Sequence, residues 1–139
     1  MKKLVLILCF AMSLVSMAQD INWVTFEKLP KLIQQESKPV MVFIHTDWCK
    51  YCLMQDKITF QDSLIVSELN QNYYCVRLNA EADQQIYFLN RMYTKKGNIH
   101  SLSWVLGAQN NELTFPTTVL LSPQYQITNR WVGYLSKEQ

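Results

Sequence analysis

The stretch Lys38-Pro39-Val40-Met41-Val42-Phe43-Ile44-His45-Thr46-Asp47-Trp48-Cys49-Lys50-Tyr51-Cys52 decides how the chain is read. After the Lys-Pro stop comes a continuous apolar run, Val40 to Ile44, of the kind found in strands buried on both faces. The stretch then ends in two cysteines three positions apart, and Leu53 to Ile58 follow in helical spacing. Residues three apart share a helix face, so the two sulfurs can reach bonding distance without distorting the backbone. Both cysteines would open the helix. There Cys49 would meet unpaired N–H groups and the positive end of the helix dipole, and Lys50 adds a cation; all three favour thiolate over thiol. Cys49 is the candidate nucleophile. Cys52, a turn inward and less solvated, is the candidate resolving thiol.

Working outward, Trp23 to Ser37 predicts a helix near 26 to 36, with Thr25 as N-cap and Pro30 limiting its first turn. A second helical stretch is expected from about Asp62 to Asn70, and Tyr73 to Leu78, which contains Cys75, reads as a strand. Residues 85 to 95 suit either an amphipathic helix or a hairpin turning at Leu89-Asn90, and the hairpin is favoured. Ile99 to Leu106 predicts a helix ending at Gly107 as a C-cap residue. Thr117 to Leu121 and Tyr125 to Val132 predict two strands around Ser122-Pro123-Gln124. The implied fold is an α/β layered domain with a central mixed sheet flanked by helices. Ser136-Lys137-Glu138-Gln139 has the form of a capping box, so the reading expects a final helix cut short and apolar sheet surface left open.

With 139 residues, 49% hydrophobic and 17% charged, the composition fits one globular domain and excludes a disordered or fibrous segment. Lys2 and Lys3 precede the apolar run Leu4 to Val15 and the small-residue pattern Ser16-Met17-Ala18, which reads as a signal peptide over residues 1–18 with a domain at 19–139. Export to a periplasmic or extracellular, oxidising compartment follows. Removing Lys2 and Lys3 from the 13 basic residues leaves 11 against 11 acidic ones. The formal charge of +2 is therefore no argument for nucleic acid or an anionic membrane. Three cysteines would remain, and an odd number argues against a disulfide scaffold.

Lys38 to Cys52, followed much later by Phe115-Pro116-Thr117 ahead of a strand and hairpin, resembles the thioredoxin family over most of the chain. Within it the resemblance is to exported thioredoxin-like proteins, akin to the C-terminal domain of the periplasmic disulfide-interchange protein. It implies a cis bond before Pro116, which would face the sulfurs. It also implies that the Phe115 backbone pairs with an extended substrate. Trp48 matches the tryptophan beside the nucleophile, and Trp48, Lys50, Tyr51, Phe115 and Pro116 are the expected substrate-binding residues around catalytic Cys49 and Cys52. The family's buried acidic residue falls at Phe43, and Asp47, two positions before Cys49, is a poor substitute as a base. Losing that charge eases thiolate formation and moves the couple toward a potential more oxidising than thioredoxin's roughly −270 mV. The segment from about Ala82 to Asn98 lengthens the path to Pro116 and is expected to add a hairpin near the substrate face.

The resemblance implies a thiol–disulfide oxidoreductase, with reduction of protein disulfides as the favoured direction, no cofactor, no metal, a monomeric state and a membrane electron donor. A bridge between cysteines so close together constrains little of the unfolded chain, which disfavours a purely structural disulfide. A c-type haem site would need His after Cys52, where Leu53 stands. Zinc usually takes four ligands, and only His45 and Cys75 could join the pair. The alternative function is a copper chaperone using Cys49, Cys52 and His45, or a redox-inactive thioredoxin-like binding module. Taken singly, His45 reads as a polar residue at a strand end, His100 as a solvated helix residue, and Cys75 as a small buried hydrophobe.

Overall fold

The computed structural model describes residues 19–138, so the signal-peptide reading of residues 1–18 lies outside the described residues. A short strand β1 (Trp23–Val24) leads into a 3-10 turn (Phe26–Lys28) and helix α1 (Leu29–Gln35), with Pro30 in the first turn, where its missing N–H is harmless. Strand β2 (Val40–His45) is the apolar run, and Val40 to Ile44 are all buried. Helix α2 (Lys50–Lys57) follows the cysteine motif. Helix α3 (Ser63–Asn72) is capped by Asp62, whose carboxylate accepts from the Leu64 and Ile65 amides. Strand β3 is Tyr74–Asn79.

β1, β3 and β2 run parallel, while β8 (Thr117–Leu121) pairs antiparallel with β2 and β9 (Ile127–Val132) antiparallel with β8, giving the mixed sheet order β1-β3-β2-β8-β9. The period of two along β2 sends its side chains to opposite faces. Val40, Val42 and Ile44 enter a core with Phe26, Leu29, Leu102 and Leu106. Met41 and Phe43 enter a second core with Cys49, Cys52, Phe60, Val66 and Cys75. Both faces are therefore covered, and burying a Val, Ile or Phe side chain in this way contributes about 1.5–3 kcal/mol each.

The ambiguous segment forms a hairpin, β4 (Ile86–Phe88) and β5 (Arg91–Tyr93), and turns at Leu89 and Asn90 with φ of 51° and 59°. Two successive positive φ values suit the right-handed twist of the flanking strands. Its location differs from the expectation. Phe88 packs on Phe26 and Tyr125, so the tip lies at the end of the sheet where β2 begins, away from Cys49. A second small ribbon, β6 (Lys95–Lys96) and β7 (Ile99–His100), turns at Gly97 (φ 63°) and precedes α4 (Ser101–Gly107).

Two expectations about α4 are corrected. His100 is fully buried rather than solvated: its Nδ1 accepts the Leu102 amide and so caps the helix, while Nε2 lies 3.1 Å from the Gln84 carbonyl. Gly107 is the last helical residue and not a left-handed C-cap; the C-cap is Ala108 with φ −67°. Glycine fits there because an added Cβ would come within 2.7 Å of Ile44 Cδ1 and 2.9 Å of Leu113 Cδ1, so both side chains would have to shift. Beyond β9, Ser136–Glu138 are not helical, and Leu120, Trp131, Leu135, Phe60 and Leu69 line an open apolar groove of about 220 Å³.

Candidate active site

β2 delivers the chain to the site end of the sheet, and the turn after it sets the geometry. Cys49 is the N-cap of α2, in extended conformation (φ −73°, ψ 107°), so the first orphan amides of the helix point at its side chain. Cys52 N–H donates to Cys49 Sγ at 3.1 Å. The two cysteines are joined as a disulfide with Cα atoms 5.2 Å apart. Cys52 faces the core with Gln55, whose Nε2 donates to Thr118 Oγ1 and whose Oε1 accepts the Leu135 amide. Lys50, the first helical residue, is exposed.

The rim is aromatic. Trp48 is 68% exposed and Tyr51 58%, an unusual position for large apolar rings unless a partner covers them. Trp48 meets Phe115 edge to face at 6.2 Å between ring centres. Its Nε1 donates to Glu81 Oε1, and the Glu81 amide donates to Asn79 Oδ1. Asn79 in turn donates to Asp47. The Phe115–Pro116 bond is cis, as the resemblance implies, and among the described residues neither the Phe115 amide nor its carbonyl has a backbone partner. Phe115 also packs against the buried cluster that contains Cys49 and Cys52. Glu81 escaped the reading of the sequence, since nothing local links it to a tryptophan 33 positions away.

Beneath the pair, Phe43 is wholly buried where the resemblance would place an acid. Its ring meets Phe60 edge to face and stacks on His45 at 5.5 Å. Arg77 of β3 lies over the Trp23 and Phe43 rings and holds both carboxylate oxygens of Asp56, a fork and cation–π arrangement that lysine could not reproduce. Burial foremost, and then the Arg77 charge, hold the His45 imidazole below its ordinary value. Cys75 is buried on the same face of the sheet, and desolvation pushes its thiol up to about 12, which leaves it inert. Among the described residues no three His, Cys, Asp or Glu side chains form a group that could hold a metal ion.

A family model described as a thioredoxin-like domain matches residues 26–139. The chain belongs to the thioredoxin-like family. Fold and cysteine pair together make it a thioredoxin-like oxidoreductase in its general chemistry. Of curated proteins, it is 35% identical over 54 residues to the thiol:disulfide interchange protein DsbD of Campylobacter jejuni, a match covering 39% of this chain and 9% of that protein. The matched segment is therefore about a tenth of the length of the relative. Of solved structures, a thioredoxin from Thermus thermophilus superposes with a TM-score of 0.62 at 16% identity, covering 86% of this chain and 80% of its own. The DsbH oxidoreductase gives 0.57 at 18% identity, with 84% and 78% covered. At such identities the thioredoxin-like likeness is one of fold.

Proposed function

We propose that this thioredoxin-like chain, over residues 19–139, is an exported thiol–disulfide oxidoreductase that reduces protein disulfides. The observation that carries the reading is the Cys52 amide aimed at Cys49 Sγ at a helix start. A thiolate there gains a charge-assisted hydrogen bond and the favourable end of the dipole, so Cys49 is the attacking sulfur. It attacks one sulfur of a substrate disulfide and forms a mixed disulfide, and the other substrate sulfur leaves as thiolate. Cys52 then attacks Cys49 Sγ, closes the pair and expels the second substrate thiolate. Two electrons from a thiol donor reopen the pair. In an oxidising compartment that donor is a membrane protein facing it. The likeness to DsbD supports this placement, and among the described residues no helix is long and apolar enough to cross a membrane.

Trp48, Tyr51, Phe115 and Pro116 form the surface for an extended substrate segment, which would pair with the unpartnered Phe115 backbone by strand addition. Lys50 adds positive charge beside the nucleophile. One copy of the chain supplies all of these groups, consistent with a working monomer.

Equilibrating the pair against glutathione and dithiothreitol series tests the reading. The couple is expected to cycle fully, with a midpoint less negative than about −270 mV because Phe43 replaces the buried charge. A pair that never opens across the series would remove the redox function, and a midpoint near the roughly −120 mV of a dedicated oxidant would reverse its direction. Reduced protein is also expected to be alkylated by iodoacetamide at Cys49 with a midpoint well below pH 8. Mass mapping of the modified thiol checks this, and a midpoint near the free-cysteine value of about 8.5 would refute the role given to the helix start and Lys50.

A further inference from the structure

We propose that Gln55 is the positioning residue that fixes how the redox helix stands against the chain on either side of Pro116, and so favours extended protein disulfides over small ones. The inference rests on the oxidoreductase reading above and adds to it the origin of a substrate preference.

Gln55 lies three positions after Cys52, so the two side chains share a face of α2, and both are buried. Gln55 is fully buried, which is uncommon for glutamine. Desolvating its amide takes back most of what its hydrogen bonds return, so an apolar side chain of equal length would hold the core about as well. What the amide adds is direction. A backbone N–H can only donate, so Gln55 Oε1 faces the Leu135 amide at 3.0 Å. Its Nε2 is then left to donate to Thr118 Oγ1 at 3.3 Å.

Both partners lead to Pro116. Thr118, itself 5% exposed, stands on β8 two positions beyond Pro116 and opposite Phe43 of β2. Leu135 stands two positions beyond Gly133, whose amide donates to the Pro116 carbonyl at 2.7 Å. Thr59 Oγ1, just past α2, donates to the Leu135 carbonyl, so both backbone polar groups of Leu135 are held from the α2 side. A closed circuit results, running from Cys52 along one turn of α2 to Gln55 and from there by two routes to Pro116. Phe115 packs against the cluster that contains both cysteines, and its ring meets Trp48, the residue before Cys49.

A substrate segment paired with the Phe115 backbone therefore presents its disulfide to Cys49 at a spacing set by how α2 stands against β8. Loosening that spacing misplaces the substrate sulfur, and a displacement of about 1 Å can cost about 10²-fold in rate. A small disulfide pairs with no strand and does not depend on the spacing. The bonds made and broken remain those of the exchange above, since Gln55 moves no proton and touches no reacting sulfur.

Reduced protein mixed in separate runs with insulin and with 5,5′-dithiobis(2-nitrobenzoate) gives a second-order rate constant for each disulfide, and a melting curve is recorded for every variant. Gln55→Met should lower the insulin constant about tenfold or more and leave the small-reagent constant within about twofold. Thr118→Val keeps the branched shape but removes the hydroxyl, and it should shift the ratio in the same direction; should Gln55→Met not fold, this variant carries the test. Thr118→Ser keeps the hydroxyl and should restore the wild-type ratio. Combining Gln55→Met with Thr118→Val should cost no more than Gln55→Met alone, because both remove the same bond. An unchanged insulin constant in Gln55→Met and Thr118→Val, constants that fall together for the two disulfides, or a Thr118→Ser as slow as Thr118→Val would overturn the proposal. A wild type that reacts with neither disulfide would overturn the oxidoreductase reading itself.

Discussion

Cys49→Ser is expected to bring dithiothreitol-driven insulin reduction down to the rate without protein, while the melting midpoint measured in the same reductant moves by no more than a degree or two. A serine hydroxyl at position 49 would still accept the Cys52 amide, so the helix keeps its cap. It is not ionised at neutral pH, however, and no other sulfur can take over. Cys52 is buried and lacks the capping position, and Cys75 is desolvated to about 12 on β3. Under reductant the wild type has no bridge either, so the comparison isolates chemistry from the modest stabilisation a short disulfide loop provides. Cys52→Ser should differ in kind: it retains the nucleophile and accumulates mixed disulfide with substrate, visible as an added mass that dithiothreitol removes. Equal insulin turnover by wild type and Cys49→Ser would end the enzymatic account. Stoichiometric cuprous binding lost in the same variant would put the copper chaperone in its place.

The parts of this molecule that were legible in advance are those whose physics is local. Val40 to Ile44 announces a doubly covered strand because no polar residue interrupts it, and the helix after it is marked by the spacing of Cys49 and Cys52. The hairpin at Leu89-Asn90 was half legible. Asn tolerates positive φ, but Leu at φ 51° follows from packing of the flanking Phe88 on Phe26 and Tyr125, which no local pattern reports. At Gly107 it is the close approach of α4 to Ile44 and Leu113, and not a left-handed turn, that favours glycine. The polar wiring was hidden. Trp48 to Glu81 and Asp56 to Arg77 join residues 33 and 21 positions apart, which meet only once β3 pairs with β2 in the register that sets Phe43 opposite Arg77. The site's aromatic rim could be anticipated through resemblance alone, because exposure of Trp48 and Tyr51 has no signature in their neighbours' hydropathy.

His100→Ala is expected to destabilise the fold by about 3 kcal/mol, which for a domain of this size lowers the thermal midpoint by roughly 10 °C or more. His100 ties together segments that otherwise touch little. Its amide donates to the Ala80 carbonyl just past β3, and its backbone pairs with Lys95 across the second ribbon. Because Nδ1 accepts the Leu102 amide, the proton sits on Nε2, which donates to the Gln84 carbonyl ahead of the hairpin. Alanine keeps the backbone bonds but loses the cap, at about 1 kcal/mol. It also leaves the Gln84 carbonyl without this partner, at about 1–3 kcal/mol. A void beside fully buried Leu102 adds to the loss. His100→Asn should recover part of it, since a shorter side-chain oxygen can still cap α4 but no donor reaches Gln84. The damage should stay on the α1 and α4 side of the sheet, opposite the cysteine pair, so insulin turnover at 25 °C should change far less than the melting midpoint. A loss below about 1 kcal/mol in a denaturant titration would mean that the ribbon and hairpin are held by their apolar contacts alone, and that the imidazole is a passenger in the core.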